Sequence, residues 1–187
     1  GVGTSLKHFA VNNQETLRMS VSAEVDERAL HELYLRPFEI AVKEGAPSTV
    51  MCSYNRINGV YASENRMLLT RILREQWGFD GLVMSDWGAV YRRPAGVAAG
   101  LDLEMPSSGG VTDREIVRAV RAGRLDEAAV DALCARVLRL ALAHAPQRKK
   151  AYPAPVHHVA AVRRMLDRHH ALAVRAARES AVLLKNE

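Results

Sequence analysis

The sequence lacks the features that define several protein classes. Two cysteines in 187 residues, Cys52 and Cys134, cannot build a disulfide framework, and neither stands in a C-x-x-C spacing. A disulfide-rich secreted module and a zinc ribbon are excluded. The longest charge-free stretch falls far short of the roughly 20 apolar residues a membrane helix needs, so the chain reads as soluble with no membrane partner. No H-E-x-x-H occurs, and the pairs His157-His158 and His169-His170 are adjacent, which splits each pair across helix faces; no metal site is expected. There is no G-x-G-x-x-G or Walker loop, hence no nucleotide site, and Ser53 and Ser85 lack the G-x-S-x-G elbow. Gly1 is followed by neither a basic n-region nor an apolar h-region, and localisation is not legible from the first residues.

What is present is the composition of an ordinary globular core, 48% hydrophobic and 25% charged. The length suits one domain at roughly 100–200 residues per domain. The net charge of +5 is unevenly placed: residues 1–135 carry 15 Lys and Arg against 18 Asp and Glu, and residues 136–187 carry 11 against 3. The basic residues of the second part are mostly isolated Arg at helical spacing without interleaved aromatics. They read as a solvated or inter-domain face over acidic surfaces elsewhere, and no nucleic-acid partner is expected.

Short apolar strands alternate with amphipathic helices, the pattern of parallel β/α units. Strands are expected at Leu6–Phe9, Thr49–Tyr54, Leu82–Ser85 and Leu101–Met105. A helix is expected from Asp26 with a break near Pro37 and a stop at Gly45, and another from Asn65 to Trp77. Asn58-Gly59 marks a turn. Thr112-Asp113-Arg114-Glu115 reads as a capping box opening a helix to Ala122, and Asp126 opens the next. Residues 146–158 have linker composition. A last amphipathic helix is expected over 159–179, followed by a strand at Ala181–Leu184. Four parallel strands do not close a barrel, which takes about 250 residues, so the chain reads as a fragment.

In parallel α/β architectures the chemistry sits at the C-terminal ends of the strands. The candidates are therefore Lys7, His8, Tyr54, Asn55, Asp86, Trp87 and Glu104. Asp86 emerges from an apolar strand beside an aromatic ring; it suits a nucleophile or base, or equally a helix cap or a partner for an arginine. Lys7 and His8 offer adjacent donors for hydroxyls or an anion, or serve structure. Arg18 either reaches the same rim or is a surface guanidinium. Asp102 and Glu104 are read as structural, with burial against an arginine.

Lys7-His8-Phe9-Ala10, Asp26-Glu27-Arg28, Tyr34 to Glu39, Met51 to Asn55, Trp77 to Gly81 and Met84-Ser85-Asp86-Trp87 together resemble the family 3 glycoside hydrolases, closest to their β-glucosidase branch. The motifs run in order from Lys7 to Pro106, more weakly to Asn186. The resemblance implies an α/β fold: the C-terminal part of a TIM-like (β/α)8 barrel over residues 1–145, a linker over 146–158, and the first helix and strand of an α/β sandwich domain over 159–187. It implies retaining hydrolysis of terminal β-D-glucosyl residues, with Asp86 as the nucleophile. Lys7, His8 and Arg18 match positions that hold sugar hydroxyls, Tyr54 lines the same subsite, and Met51 and Trp87 match its apolar wall. The acid/base Glu belongs to the second domain, outside this chain, so the 187 residues alone are expected to be inactive. No cofactor is implied; the partners are a β-glucoside and the rest of the protein's own chain. β-Xylosidase, β-N-acetylglucosaminidase and a non-catalytic carbohydrate-binding barrel are the alternatives. Ala10-Val11-Asn12-Asn13 disfavours the second of these, whose branch reads Lys-His-Phe-Pro-Gly there.

Overall fold

A computed structural model describes residues 3–145, 159–182, 184 and 185. The expected linker, 146–158, lies outside the described residues. The chain divides into two compact units, Gly1–Ala145 and Pro146–Glu187.

The first unit is built on a parallel sheet of β1 (Ser5–Phe9), β3 (Thr49–Cys52) and β6 (Leu82–Met84), in the order β1-β3-β6. The register aligns Leu6 with Val50 and Val50 with Val83, so apolar residues stack across the sheet. The expected fourth strand is reduced to one parallel bridge, Leu103 to Met84. Beyond it the chain turns away through Pro106, which has no N–H to continue a ladder. β3 stops at Cys52, two residues before the expected Tyr54; past it the Ser53 N–H still donates to the Phe9 carbonyl, and the Ser53 and Asn55 side chains donate to the Ala10 carbonyl.

Each crossover is helical. Asp26 caps the first helix by accepting from the Ala29 N–H, and α1 (Glu27–Ala29) runs through a π-helical stretch, Leu30–Leu35, into α2 (Arg36–Gly45). The expected break at Pro37 is not a break. Pro37 is the second residue of α2, which runs on without a gap from the π-helical stretch, and the wider π turn before it accommodates the missing N–H. Met67–Gln76 forms a second π-helical crossover, opened by the Asn65 side chain, which accepts from the Leu68 N–H. Phe9, Leu35, Leu69, Ile72, Leu73, Val83 and Leu101 fill the core between sheet and helices. Burying each such side chain contributes about 1.5–3 kcal/mol. Phe9 meets Phe38 and Trp77 at ring-centroid distances of 5.2 and 5.7 Å.

α3 (Arg93–Ala99), α4 (Val111–Arg121) and α5 (Glu127–Ala143) complete the unit. The capping box at Thr112 does not form. Gly110, at φ +88°, precedes the helix, and the Thr112 hydroxyl instead donates to Glu104 and meets Ser108. Asp126 does cap α5, accepting from the Ala128 N–H. A small second sheet joins β2 (Ser22–Ala23), β4 (Arg56–Ile57) and β5 (Val60–Tyr61) around the turn at Asn58 and Gly59, both left-handed.

The second unit contains α6 (Val159–Ser180). The strand expected at Ala181–Leu184 is not seen: Ala181, Val182 and Leu184 are unpaired, and no strand among the described residues lies beside them. Among the described residues no helix is long and apolar enough to cross a membrane.

Candidate active site

The strand order places the ends of β1, β3 and β6 side by side, and the polar residues at those ends converge. Asp86 follows β6 and is 8% exposed. One carboxylate oxygen, Oδ1, accepts from the Trp87 N–H at 2.7 Å; the other, Oδ2, faces His8 Nε2 at 3.6 Å. His8 comes from β1, and its side chain is 39% exposed. The Tyr54 hydroxyl donates to the Trp87 carbonyl at 3.1 Å. Burial raises the Tyr54 phenol pKa above its ordinary value, and the neighbouring Asp86 carboxylate pushes it the same way. Arg18 stands over the Tyr54 ring at 4.9 Å and pairs with Glu15 at 3.2 Å.

The candidates thus divide by role in the fold. His8, Arg18, Tyr54, Asp86 and Trp87 form one connected group. Lys7 is exposed on β1 next to His8, with no hydrogen bond or ion pair among the described residues. Met51, half-buried, is paired across the sheet with Met84. Trp87 is 63% exposed, an indole presented to solvent beside a buried carboxylate.

Two candidates belong to structure. Asn55 is buried and donates to the Ala10 and Arg56 carbonyls. Glu104 accepts from Thr112 and lies 3.9 Å from Arg93. Asp102 is structural as expected: its buried carboxylate accepts from Arg74 at 2.7 Å, Arg136 at 2.8 Å and the Val83 N–H at 2.8 Å. Arg136 therefore serves the interior of the first unit and not a solvated face, whereas Arg139 is exposed and donates to the Asp80 carbonyl at the surface. Burial lowers the pKa of Arg74, opposed by Asp102. Among the described residues no group of three or more His, Cys, Asp or Glu is placed to hold a metal.

Sequence reasoning missed an aromatic stack beside this group. Tyr61 and Tyr91 lie parallel, centroids 3.7 Å apart at 17°, with the Arg56 guanidinium over Tyr61 at 4.5 Å. Thirty positions separate the two rings in the chain, and no periodicity links them.

Residues 1–140 match the family described as the glycosyl hydrolase family 3 N terminal domain. Thermostable beta-glucosidase B of Acetivibrio thermocellus is 50% identical over 187 residues, which is 100% of this chain and 23% of that protein. An exo-alpha-(1->6)-L-arabinopyranosidase of Bifidobacterium longum is 49% identical over the same length and share. The solved beta-glucosidase of Bifidobacterium adolescentis superposes with a TM-score of 0.81 at 46% identity, covering 100% of this chain and 26% of that one. Beta-glucosidase 3B of Thermotoga neapolitana, solved with alpha-D-glucose, gives a TM-score of 0.73 at 44% identity over 75% of this chain and 21% of its own. The chain spans only a minor part of the length of each.

Proposed function

Since the chain belongs to glycosyl hydrolase family 3, its first 140 residues lying in that family's N-terminal domain, we propose that it supplies the nucleophile and part of the sugar-binding surface of a retaining β-glucosidase. Asp86 attacks the anomeric carbon of a terminal β-D-glucosyl residue and the aglycone oxygen leaves with a proton; water then releases the glucosyl-enzyme. The acid and later base is a Glu of the second domain, outside this chain, at the roughly 5 Å carboxyl separation of retaining enzymes. Residues 1–145 are the barrel portion, 146–158 the linker and 159–187 the start of the sandwich domain.

The side chains take roles that follow from their positions. The Trp87 N–H on Oδ1 fixes the carboxylate rotamer and leaves Oδ2 toward the open side. Lys7, His8 and Arg18 donate to sugar hydroxyls, contacts that tighten as positive charge develops on the ring. Tyr54 holds the loop after Asp86 through the Trp87 carbonyl. Met51 and the exposed Trp87 indole supply apolar surface for the ring face. A β-glucoside and the rest of the protein's own chain are the partners.

The observation that carries this reading is the buried Asp86 at the end of β6, oriented by a backbone N–H and facing His8 across 3.6 Å. The test is to incubate the intact protein with 2-deoxy-2-fluoro-β-D-glucosyl fluoride and map the labelled peptide by mass spectrometry. An adduct on Asp86 is expected. An adduct elsewhere removes the nucleophile assignment, and no adduct with no turnover of aryl β-glucosides removes the reaction. A pentopyranoside substrate is the second reading, favoured by the arabinopyranosidase relative at 49% identity. Aryl β-xyloside and aryl α-L-arabinopyranoside belong in the same assay.

A further inference from the structure

We propose that Tyr91 is a positioning residue: it holds the tip of the 15–21 turn in place and so sets where Arg18 meets the substrate. The inference rests on the reading of Arg18 as a sugar-hydroxyl donor.

The turn is weakly held by its own packing. Ser20 and Val21 donate backbone N–H groups to the Leu17 carbonyl at 2.8 Å, and Arg18 donates to the Glu15 carbonyl at 3.2 Å. Leu17 is 71% exposed and Met19 47%, so the apolar side chains of the tip bury little surface. The turn becomes anchored only past its tip, where the Arg56 N–H donates to the Val21 carbonyl and β2 pairs with β4. The Ser20 hydroxyl on the Leu17 carbonyl and the Arg18–Glu15 pair stay within the turn; the ties from its tip to the rest of the molecule are the Arg18 guanidinium over Tyr54 and one side-chain hydrogen bond, from the Tyr91 hydroxyl to the Met19 carbonyl at 2.5 Å. That bond acts on the residue next to Arg18.

Tyr91 is well placed to carry this tie. Its ring lies flat on Tyr61, and Tyr61 is backed by Arg56, which also donates to the Tyr61 hydroxyl at 2.9 Å. The neighbouring Arg92 donates through its backbone N–H, Nε and Nη2 to the Glu64 carboxylate, anchoring the end of the nucleophile loop by a separate route. Burial and the adjacent Tyr61 phenol push the Tyr91 hydroxyl up to about 12, so it stays a donor across the working pH range. One side chain therefore connects the loop that begins at Asp86, the β4–β5 hairpin and the turn that carries Arg18. Removing its hydroxyl alone leaves the stack and the Arg92 anchor in place.

The experiment uses the intact protein and Tyr91→Phe, with Tyr91→Ala as the harsher variant. Losing one hydrogen bond of ordinary strength corresponds to a change of about three- to tenfold. For Tyr91→Phe, kcat/KM for an aryl β-glucoside is expected to fall by about that factor, through kcat as well as KM because the Arg18 contact tightens in the transition state. Amide hydrogen exchange of Arg18, Ser20 and Val21 should quicken by a similar factor, with exchange in β6 unchanged. Tyr91→Ala should enlarge both effects. Unchanged exchange in residues 17–21 overturns the proposal whatever the kinetics do, and so does faster exchange with an unchanged kcat/KM in an active enzyme. A loss of activity that follows only the loss of folded protein overturns it as well. If the wild type neither turns over glycosides nor takes the fluorosugar label, the hydrolase reading fails, while the exchange measurement still decides whether Tyr91 holds the turn.

Discussion

Asp86 combines burial with a fixed orientation, its Oδ1 held by the Trp87 N–H and its Oδ2 facing His8, and the nucleophile role proposed for it can be tested by substitution. Replacing it with Ala should lower kcat by about 10⁴-fold or more, the scale of losing a covalent nucleophile. Added azide should restore turnover by attacking the anomeric carbon from the vacated side, giving a glycosyl azide of inverted anomeric configuration. The same product with retained configuration would assign the nucleophile elsewhere. Cys52 offers a different residue-scale prediction. Burial pushes its thiol from 9.0 up to about 12, so the native state keeps a proton that the unfolded chain gives up. Stability from this group is intact below pH 9 and is lost as pH rises toward 12. Between those limits Cys52→Ala should flatten the fall of unfolding free energy, measured in urea, by about 1.4 kcal/mol per pH unit. Asp102 is the costliest structural residue to lose. Asp102→Ala leaves Arg74 and Arg136 without their carboxylate, and a loss of about 3–5 kcal/mol in a urea titration is expected.

At the scale of elements, helix starts show which local signals survive folding. Asp26 and Asp126 cap α1 and α5 with their own side chains. Asp126→Ala should therefore cost about 1 kcal/mol in thermal or urea unfolding. Thr112 carries an equally good capping signal and does not cap, because the left-handed Gly110 sets the entry and the Thr112 hydroxyl is drawn to Glu104. Its substitution should act on the Glu104 contact and leave the α4 boundary in place. Pro37 teaches the same point from the other side: a residue read as a breaker sits harmlessly once the preceding turn widens. Strand ends were legible only to within a few residues. Just past the end of β3 the Ser53 and Asn55 side chains donate to the Ala10 carbonyl, more than forty positions away, a pairing that leaves no local signal.

At the scale of the whole molecule, the parallel sheet brings strand ends from three separate stretches to one rim, and this convergence is what turns scattered polar residues into a site. The rim carries the buried carboxylate of Asp86, the proposed nucleophile, whereas the Glu104 carboxylate is engaged by Thr112 and Arg93. The 187 residues by themselves should accordingly show no turnover of an aryl β-glucoside under conditions where the intact protein does. Measurable hydrolysis by the isolated chain would place the acid/base within it and overturn the two-domain site.

The sequence by itself determined the alternation of strands and helices, the family, and which strand ends carry polar residues, because these depend on local periodicity and on short motifs read in order. It also pointed to structural roles for Asp102 and Glu104, with burial against an arginine partner, because the two acids alternate along one apolar stretch. Only the tertiary structure decided which arginines those partners are: Arg74 and Arg136 reach Asp102 from two helices far apart in the chain. It decided that Arg18 stands on Tyr54, and that Tyr91 stacks on Tyr61 and ties down the Arg18 turn. The reason is physical. Ring stacking, cation–ring contacts and single hydrogen bonds to a backbone carbonyl depend on where whole elements come to rest, and they leave no periodic trace in the residues that make them.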